Sequence, residues 1–336
     1  MVEGLDWIQF LRGIIMKIAW LPVIVLLAAA SWAHAQDYPS SSIKIIVPFS
    51  PGAGTDTLTR LVAQEIQRRT GFSLYVENQT GAGGLIGMTT VARAAPNGYT
   101  LGTAAPSTHT IAAAVRKKMP YDPIRDFTFI STLVKYTSVL VVHPSVPLKS
   151  MSEFVRYAKN NPDRLSFASA GVGTSTHLMG EMLKQAAQIK IVHVPYKGGG
   201  QSIPDLLGGH IPVAIISAAG VQNYVREGRL RALAVFERER YGGLPTVPAI
   251  TEAVPRINPR ISWFGFVGPA GLPPAISRRL NTEALQALQA KDLRQKLESA
   301  GFQILGSTPE QFAEMVKDEI SAWTKVVAAA NIRVDN

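Results

Sequence analysis

The sequence predicts an α/β protein of two domains, each a mainly parallel sheet flanked by helices. Three observations carry this prediction. The 336 residues exceed what one hydrophobic core usually organises. From Ile43 onward, short runs rich in β-branched and aromatic residues alternate with helical periodicities, the rhythm of strand and crossover helix. At one place two strands follow each other with no helix between them, so the chain leaves one sheet there and enters another.

The amino terminus comes first. An apolar run from Ile18 to Trp32, preceded by Lys17 and followed by Ala33-His34-Ala35, has the order of a secretory signal, with cleavage expected between Ala35 and Gln36. Met16-Lys17 is the natural start of such a signal, and a mis-assigned start over residues 1–15 is one expectation. The run is shorter than the roughly 20 residues that cross a bilayer. The chain has no Cys, which excludes disulfides, thiolate metal sites and a lipid-modified cysteine after the signal. The expected product is a soluble, untethered periplasmic protein.

Strands are expected at Ile43–Pro48, Ser73–Glu77, Thr100–Thr103, Thr128–Val134, Val139–His143, Leu165–Ser169, Ile191–Pro195, Val213–Ser217, Leu230–Phe236 and Ser262–Gly268. Helices fit between them at Thr57–Arg69, Leu85–Ala94, Met151–Asn160, Thr176–Ala187, Gln201–Leu207 and Val221–Glu227. Pro274–Gln289, Lys291–Ala300 and Pro309–Ala330 end the chain. The passage between sheets lies between Thr128–Val134 and Val139–His143, and Tyr241–Pro259, rich in Pro and Gly with no helical period, is the return. The expected domains are therefore 36–138 with 240–336, enclosing 139–239.

Three strand-to-helix junctions are rich in Gly and small hydroxyls: residues 50–56 (SPGAGTD), 169–175 (SAGVGTS) and 197–202 (KGGGQS). Glycine permits close backbone approach, and the free N–H groups of a helix's first turn attract anions, so each junction is a candidate carboxylate or phosphate cradle. Thr55, Asp56, Thr174 and Ser202 read equally well as helix caps at any single junction; three junctions together favour a site. A net charge of +10 favours acidic ligands. The cations are scattered and no arginine-rich stripe occurs, which argues against nucleic acid.

Other chemistries find little support. Gly81-Ala82-Gly83-Gly84-Leu85-Ile86-Gly87 departs from G-x-G-x-x-G at Ile86 and lacks the acidic residue about twenty positions on. The six His form no HExxH or His-x-x-x-His pair, so neither metal nor other cofactor is expected. A serine-type hydrolase would use Ser175 and His177 with Asp56 or Asp205, but no G-x-S-x-G elbow is present and Ser and His two apart point in different directions.

At these junctions the sequence resembles the Bug family of periplasmic substrate-binding proteins, the receptors of tripartite tricarboxylate transporters. The shared motifs run along the whole mature chain. They include Ile46-Val47-Pro48-Phe49-Ser50-Pro51-Gly52 with Asp56 and Arg60, Glu77-Asn78 with Gly81 and Gly83-Gly84, and Tyr121-Asp122-Pro123 with Asp126-Phe127. Ser169-Ala170-Gly171 with Gly173-Thr174 and His177-Leu178, Val194-Pro195-Tyr196-Lys197-Gly198, residues 230–235 (LRALAV) and Ser262-Trp263-Phe264-Gly265 continue it. The resemblance implies a periplasmic-binding-protein-like fold with a ligand cleft at the hinge, without catalytic activity, closing over a small carboxylate for membrane transporter subunits, and a monomer. Carried onto this chain, it implies Phe49, Ser50, Gly52, Gly54, Thr55 and Asp56 on one wall, joined by Ser107 or Thr108. Ser169, Gly171, Thr174 and Tyr196 oppose them. Many members carry an acid on the strand that here reads residues 213–217 (VAIIS), where this chain has Ile216 and Ser217. The expected ligand is therefore a carboxylate without an amine, with an apolar or aromatic remainder and Ser217 among its contacts. A ligand-sensing partner of a membrane signalling protein is the alternative role.

Overall fold

Ile43, Ile45, Ile46 and Val47 are fully buried, as expected of a central strand covered on both faces. The computed structural model describes residues 38–260 and 262–330. The expected signal, residues 1–35, lies outside them. Among the described residues no helix is long and apolar enough to cross a membrane.

In chain order the strands are β1 (Ile43–Val47), β2 (Leu74–Asn78), β3 (Thr100–Ala104), β4 (Phe127–Tyr136), β5 (Ser138–Val142), β6 (Ser166–Ser169), β7 (Val192–Pro195), β8 (Val213–Ser217), β9 (Arg231–Val235), β10 (Ser262–Pro269) and β11 (Phe302–Ile304). Helices α1 (Gly54–Thr70), α2 (Leu85–Ala92), α3 (Thr110–Val115), α4 (Met151–Asn160), α5 (Ser175–Ala187), α6 (Gly199–Leu207) and α7 (Ala218–Arg226) intervene. The short α8 (Ile250–Ala253) follows, then α9 (Pro274–Gln289), α10 (Lys291–Ser299) and α11 (Pro309–Ala330). The first sheet has the order β11-β4-β10-β3-β1-β2 and the second β7-β6-β8-β5-β9. Strands 5 to 9 thus form one sheet and the rest the other, with the passage at Thr137 where the missing helix places it.

The two helix-flanked sheets are those expected, and each also carries antiparallel strands: β1 pairs in parallel with β2 and β3, and β6 with β7 and β8. By contrast β10 is antiparallel to β3 and β4, β11 to β4, and β5 to β8 and β9. The cause lies in the passages. A strand that enters a sheet from the other sheet, without a covering crossover helix, is free to arrive from the opposite end. The return segment, expected to lack helix, contains α8; α3 and β11 were also not anticipated. All three are six residues or fewer, too short to display a period.

The described residues from Ser41 onward pack as one compact unit. The last helix shows why. Phe312, Val316, Trp323 and Val327 recur at helical spacing along α11 and are all buried. Phe312 and Val316 join Trp263, Phe129 and Ile46 in the core of the first sheet. Trp323 and Val327 join Phe154, Phe167 and Leu140 in the core of the second. A 22-residue helix is about 33 Å long, enough to brace both sheets.

Candidate functional site

The loop after β1 is held from below. Asp56, in the first turn of α1, accepts hydrogen bonds from Gly52 N (3.0 Å), Arg60 Nε (3.0 Å) and Asn78 Nδ2 (2.9 Å). The same Asn78 amide donates to Phe49 O at 2.9 Å. Burial alone would raise the Asp56 carboxyl, but the bonds from Arg60, Gly52 and Asn78 outweigh it and hold the group below its ordinary value. Gly52 turns the loop at φ +77°, a conformation that favours glycine.

The facing loop, after β6, is built in a similar way. Ser169 Oγ lies 2.6 Å from His193 Nε2 and accepts from Gly171 N at 3.1 Å. Thr174 caps α5 by accepting from His177 N and donates to Gly171 O at 2.7 Å. The third junction, after β7, leads into α6. Its Gly198 takes φ +130°, and a Cβ there would stand 3.0 Å from Ser50 Oγ. The Ser50 hydroxyl donates to Lys197 O, so the first and third junctions touch across the gap. A Cβ on Gly200 would likewise lie 3.4 Å from Ala53 N. The walls are closed upon each other.

Between them lies a narrow cleft of about 70 Å³. The N-terminal turns of α1, α5 and α6 border it through Gly54 and Thr55, Ser175 and Thr176, and Gly199 and Gly200. Its floor is Tyr136 stacked on Phe264, with ring centroids 4.3 Å apart and 15° between planes. Ile203 and Ile216 add apolar wall. The Tyr136 hydroxyl lies 3.3 Å from Ser175 Oγ. Ser217 Oγ is buried with no hydrogen-bond partner among the described residues, and it lines the cleft. Among the described residues, no Asp, Glu, Lys, Arg or His lines it.

Of the residues singled out from sequence, Phe49, Gly52, Gly54, Thr55, Ser107, Thr174 and Ser217 line the cleft. Gly171 and Tyr196 line an adjoining recess. Four others support from behind or bridge. Asp56 and Ser169 anchor their loops; Ser50 links the walls; Thr108 Oγ1 bonds Ala105 and His109 inside its own turn. Tyr136, Phe264 and Ile203 were missed. Phe264 carried a motif signal, whereas Tyr136 lies beyond the predicted end of its strand at Val134.

The hydrolase arrangement does not assemble. His177 Nδ1 accepts from Gly173 N at 3.1 Å, and its ring stacks on His193 at 4.0 Å. Burial holds both imidazoles below their usual pKa: on His177 it outweighs the opposing Glu181 carboxylate, and on His193, where His177 and Lys184 add to it, the value falls to about 3. Asp205 is engaged by the Tyr196 hydroxyl at 2.7 Å.

Known proteins agree with this architecture. The sequence matches the "tripartite tricarboxylate transporter family receptor" family over residues 58–332. Protein BugT of Bordetella pertussis is 32% identical over 299 residues, covering 89% of this chain and 92% of BugT. Among solved structures, Rpa4515 of R. palustris with adipate is 32% identical with a TM-score of 0.85, covering 88% of this chain and 99% of that one. MatC of Rhodopseudomonas palustris with bound malate is 32% identical with a TM-score of 0.82, covering 86% and 100%. This chain, with its two helix-flanked sheets, belongs to the tripartite tricarboxylate transporter family receptors, a family of solute-binding proteins.

Proposed function

We propose that the cleft captures a small organic carboxylate lacking an amine, and that the protein presents it to transporter subunits from the periplasm without transforming it. One observation carries the reading: three helix N-termini converge on a cleft that contains no charged side chain. Unpaired N–H groups and helix dipoles stabilise an anion there, each terminus by about 0.3–1 kcal/mol and more when water is excluded. No carboxylate is present to receive an ammonium. Desolvating an unpaired ammonium would cost several kcal/mol. The Tyr136–Phe264 floor and Ile216 suit an apolar or aromatic remainder. Relatives crystallised with adipate and malate support the ligand class.

In this reading residues 36–138 and 240–336 move as one body against 139–239, with hinges at Thr137 and near Glu237. Thr137 Oγ1 donates to Glu237 Oε1 at 3.0 Å, joining the two passages. The contacting residues are Phe49, Gly52, Gly54, Thr55, Ser107, Thr174 and Ser217, while Ser50 latches the closed form. A thermal-shift screen of residues 36–336 against mono-, di- and tricarboxylates, amino acids and sugars tests it, since a ligand of the native state raises the melting temperature. Stabilisation confined to carboxylates is expected. A response only to sugars or amino acids would overturn it.

A further inference from the structure

Beside the cleft lies a second recess of about 280 Å³, which shares Phe49 and Ala170 with it. The two spaces are chemically unlike. The cleft has no charged side chain, whereas Arg116 and Lys197 line the recess and no carboxylate does. Arg116 follows α3 on the side of the first sheet, and Lys197 follows β7 of the second. A Cβ on Gly83 would lie 3.0 Å from Val172 O and 4.0 Å from Arg116 Nη2, so the guanidinium stands at the seam between the two walls. Val172 and Lys197 are exposed, which places this seam at the solvent side.

We propose that the Arg116–Lys197 recess is an anion-receiving site, where a carboxylate docks before it passes Phe49 to the helix N-termini. The inference rests on the carboxylate reading of the cleft. It adds a division of labour: outer cations set the rate of capture, and inner neutral donors hold the ligand. Point charges at an opening focus the field and raise association rates, while a desolvated, neutral interior avoids trapping the ligand on a fixed ion pair.

Two measurements on the whole protein test it. In the first, inorganic sulfate is titrated at constant ionic strength while the Nε–Hε resonance of Arg116 is followed by NMR. A saturable shift, weakened in Lys197→Gln, is expected; its absence overturns the proposal. In the second, stopped-flow association of adipate and of malate is compared in wild type, Arg116→Gln and Arg116→Lys. Arg116→Gln should slow association roughly threefold to tenfold at low salt and reduce its salt dependence, leaving dissociation unchanged; Arg116→Lys should preserve the rate. An unchanged rate in Arg116→Gln, or a change carried by dissociation alone, overturns the proposal. If sulfate saturates Arg116 while neither carboxylate binds, the recess stands as an anion site and the reading of the cleft fails instead.

Discussion

Replacing Asp56 should loosen the binding loop and destabilise the whole protein by an amount that follows from its partners. Its side chain is 6% exposed and accepts from Gly52 N, Arg60 and Asn78. Asp56→Ala leaves the Gly52 N–H without its acceptor; Gly52 is exposed, so water can replace the carboxylate and the loss is that of one ordinary hydrogen bond, about 0.5–1.5 kcal/mol. Arg60 is half exposed, so its ion pair adds only about 0.5 kcal/mol after screening. Asn78 retains Phe49 O and loses roughly half its bonding, near 1 kcal/mol. The sum is about 2–3 kcal/mol for Asp56→Ala. Asp56→Asn, which keeps an acceptor for Gly52, should lose about 1–2 kcal/mol. Urea denaturation measures both. The folded-state pKa lies below the ordinary 3.8, so this stabilisation is full above 3.8 and disappears as pH falls through the folded value. The gap between wild type and Asp56→Asn should therefore close in strong acid. A loss below about 1 kcal/mol in Asp56→Ala, with unchanged carboxylate affinity, would refute the claim that Asp56 organises the loop.

Three further outcomes follow from the same geometry. Ser217→Asp places a carboxylate in a cleft that has none, and calorimetry should show carboxylate affinity reduced at least about a hundredfold, since like charges in a desolvated site repel by several kcal/mol. Gly198→Ala puts a Cβ 3.0 Å from Ser50 Oγ at φ +130°, so small-angle scattering should show a more open molecule at saturating ligand. Glu237 is raised above its ordinary 4.5, by burial first, against lowering by the Thr137 bond and Lys135. Folding therefore favours its protonated form, and the penalty grows as pH rises from 4.5 through the folded value. Glu237→Gln should be more stable than wild type near neutrality and similar to it at pH 4, as urea denaturation at both pH values would show.

The parts legible in the sequence are those with local physical signatures. The strand runs, the passage at Thr137 and the Gly-rich junctions announce themselves through β-branched composition, a missing helix and paired glycines. Seven of the thirteen proposed contacts reach the cleft because a junction's position in an α/β fold fixes where its backbone points. The other six lie elsewhere: Gly171 and Tyr196 in the adjoining recess, Ser50 and Thr108 in bonds to Lys197 and to their own turn, and Asp56 and Ser169 behind their loops. Asp56 and Ser169 have small polar side chains on the right loops, yet each is turned away to bind its own loop or its neighbour. Tyr136 and Phe264, 128 residues apart, meet only because β4 and β10 are antiparallel neighbours, and that pairing was not anticipated. Arg116 is one of 34 basic residues, and nothing in its surroundings along the chain marks it.

The central claim, that a charge-free cleft with three helix N-termini selects carboxylates without an amine, is tested most directly by titration calorimetry of matched pairs. Malate against aspartate and adipate against 2-aminoadipate differ chiefly in the ammonium. Binding of the amine-free member with its partner at least about a hundredfold weaker is the predicted result. Equal or tighter binding of the amino acids would contradict it.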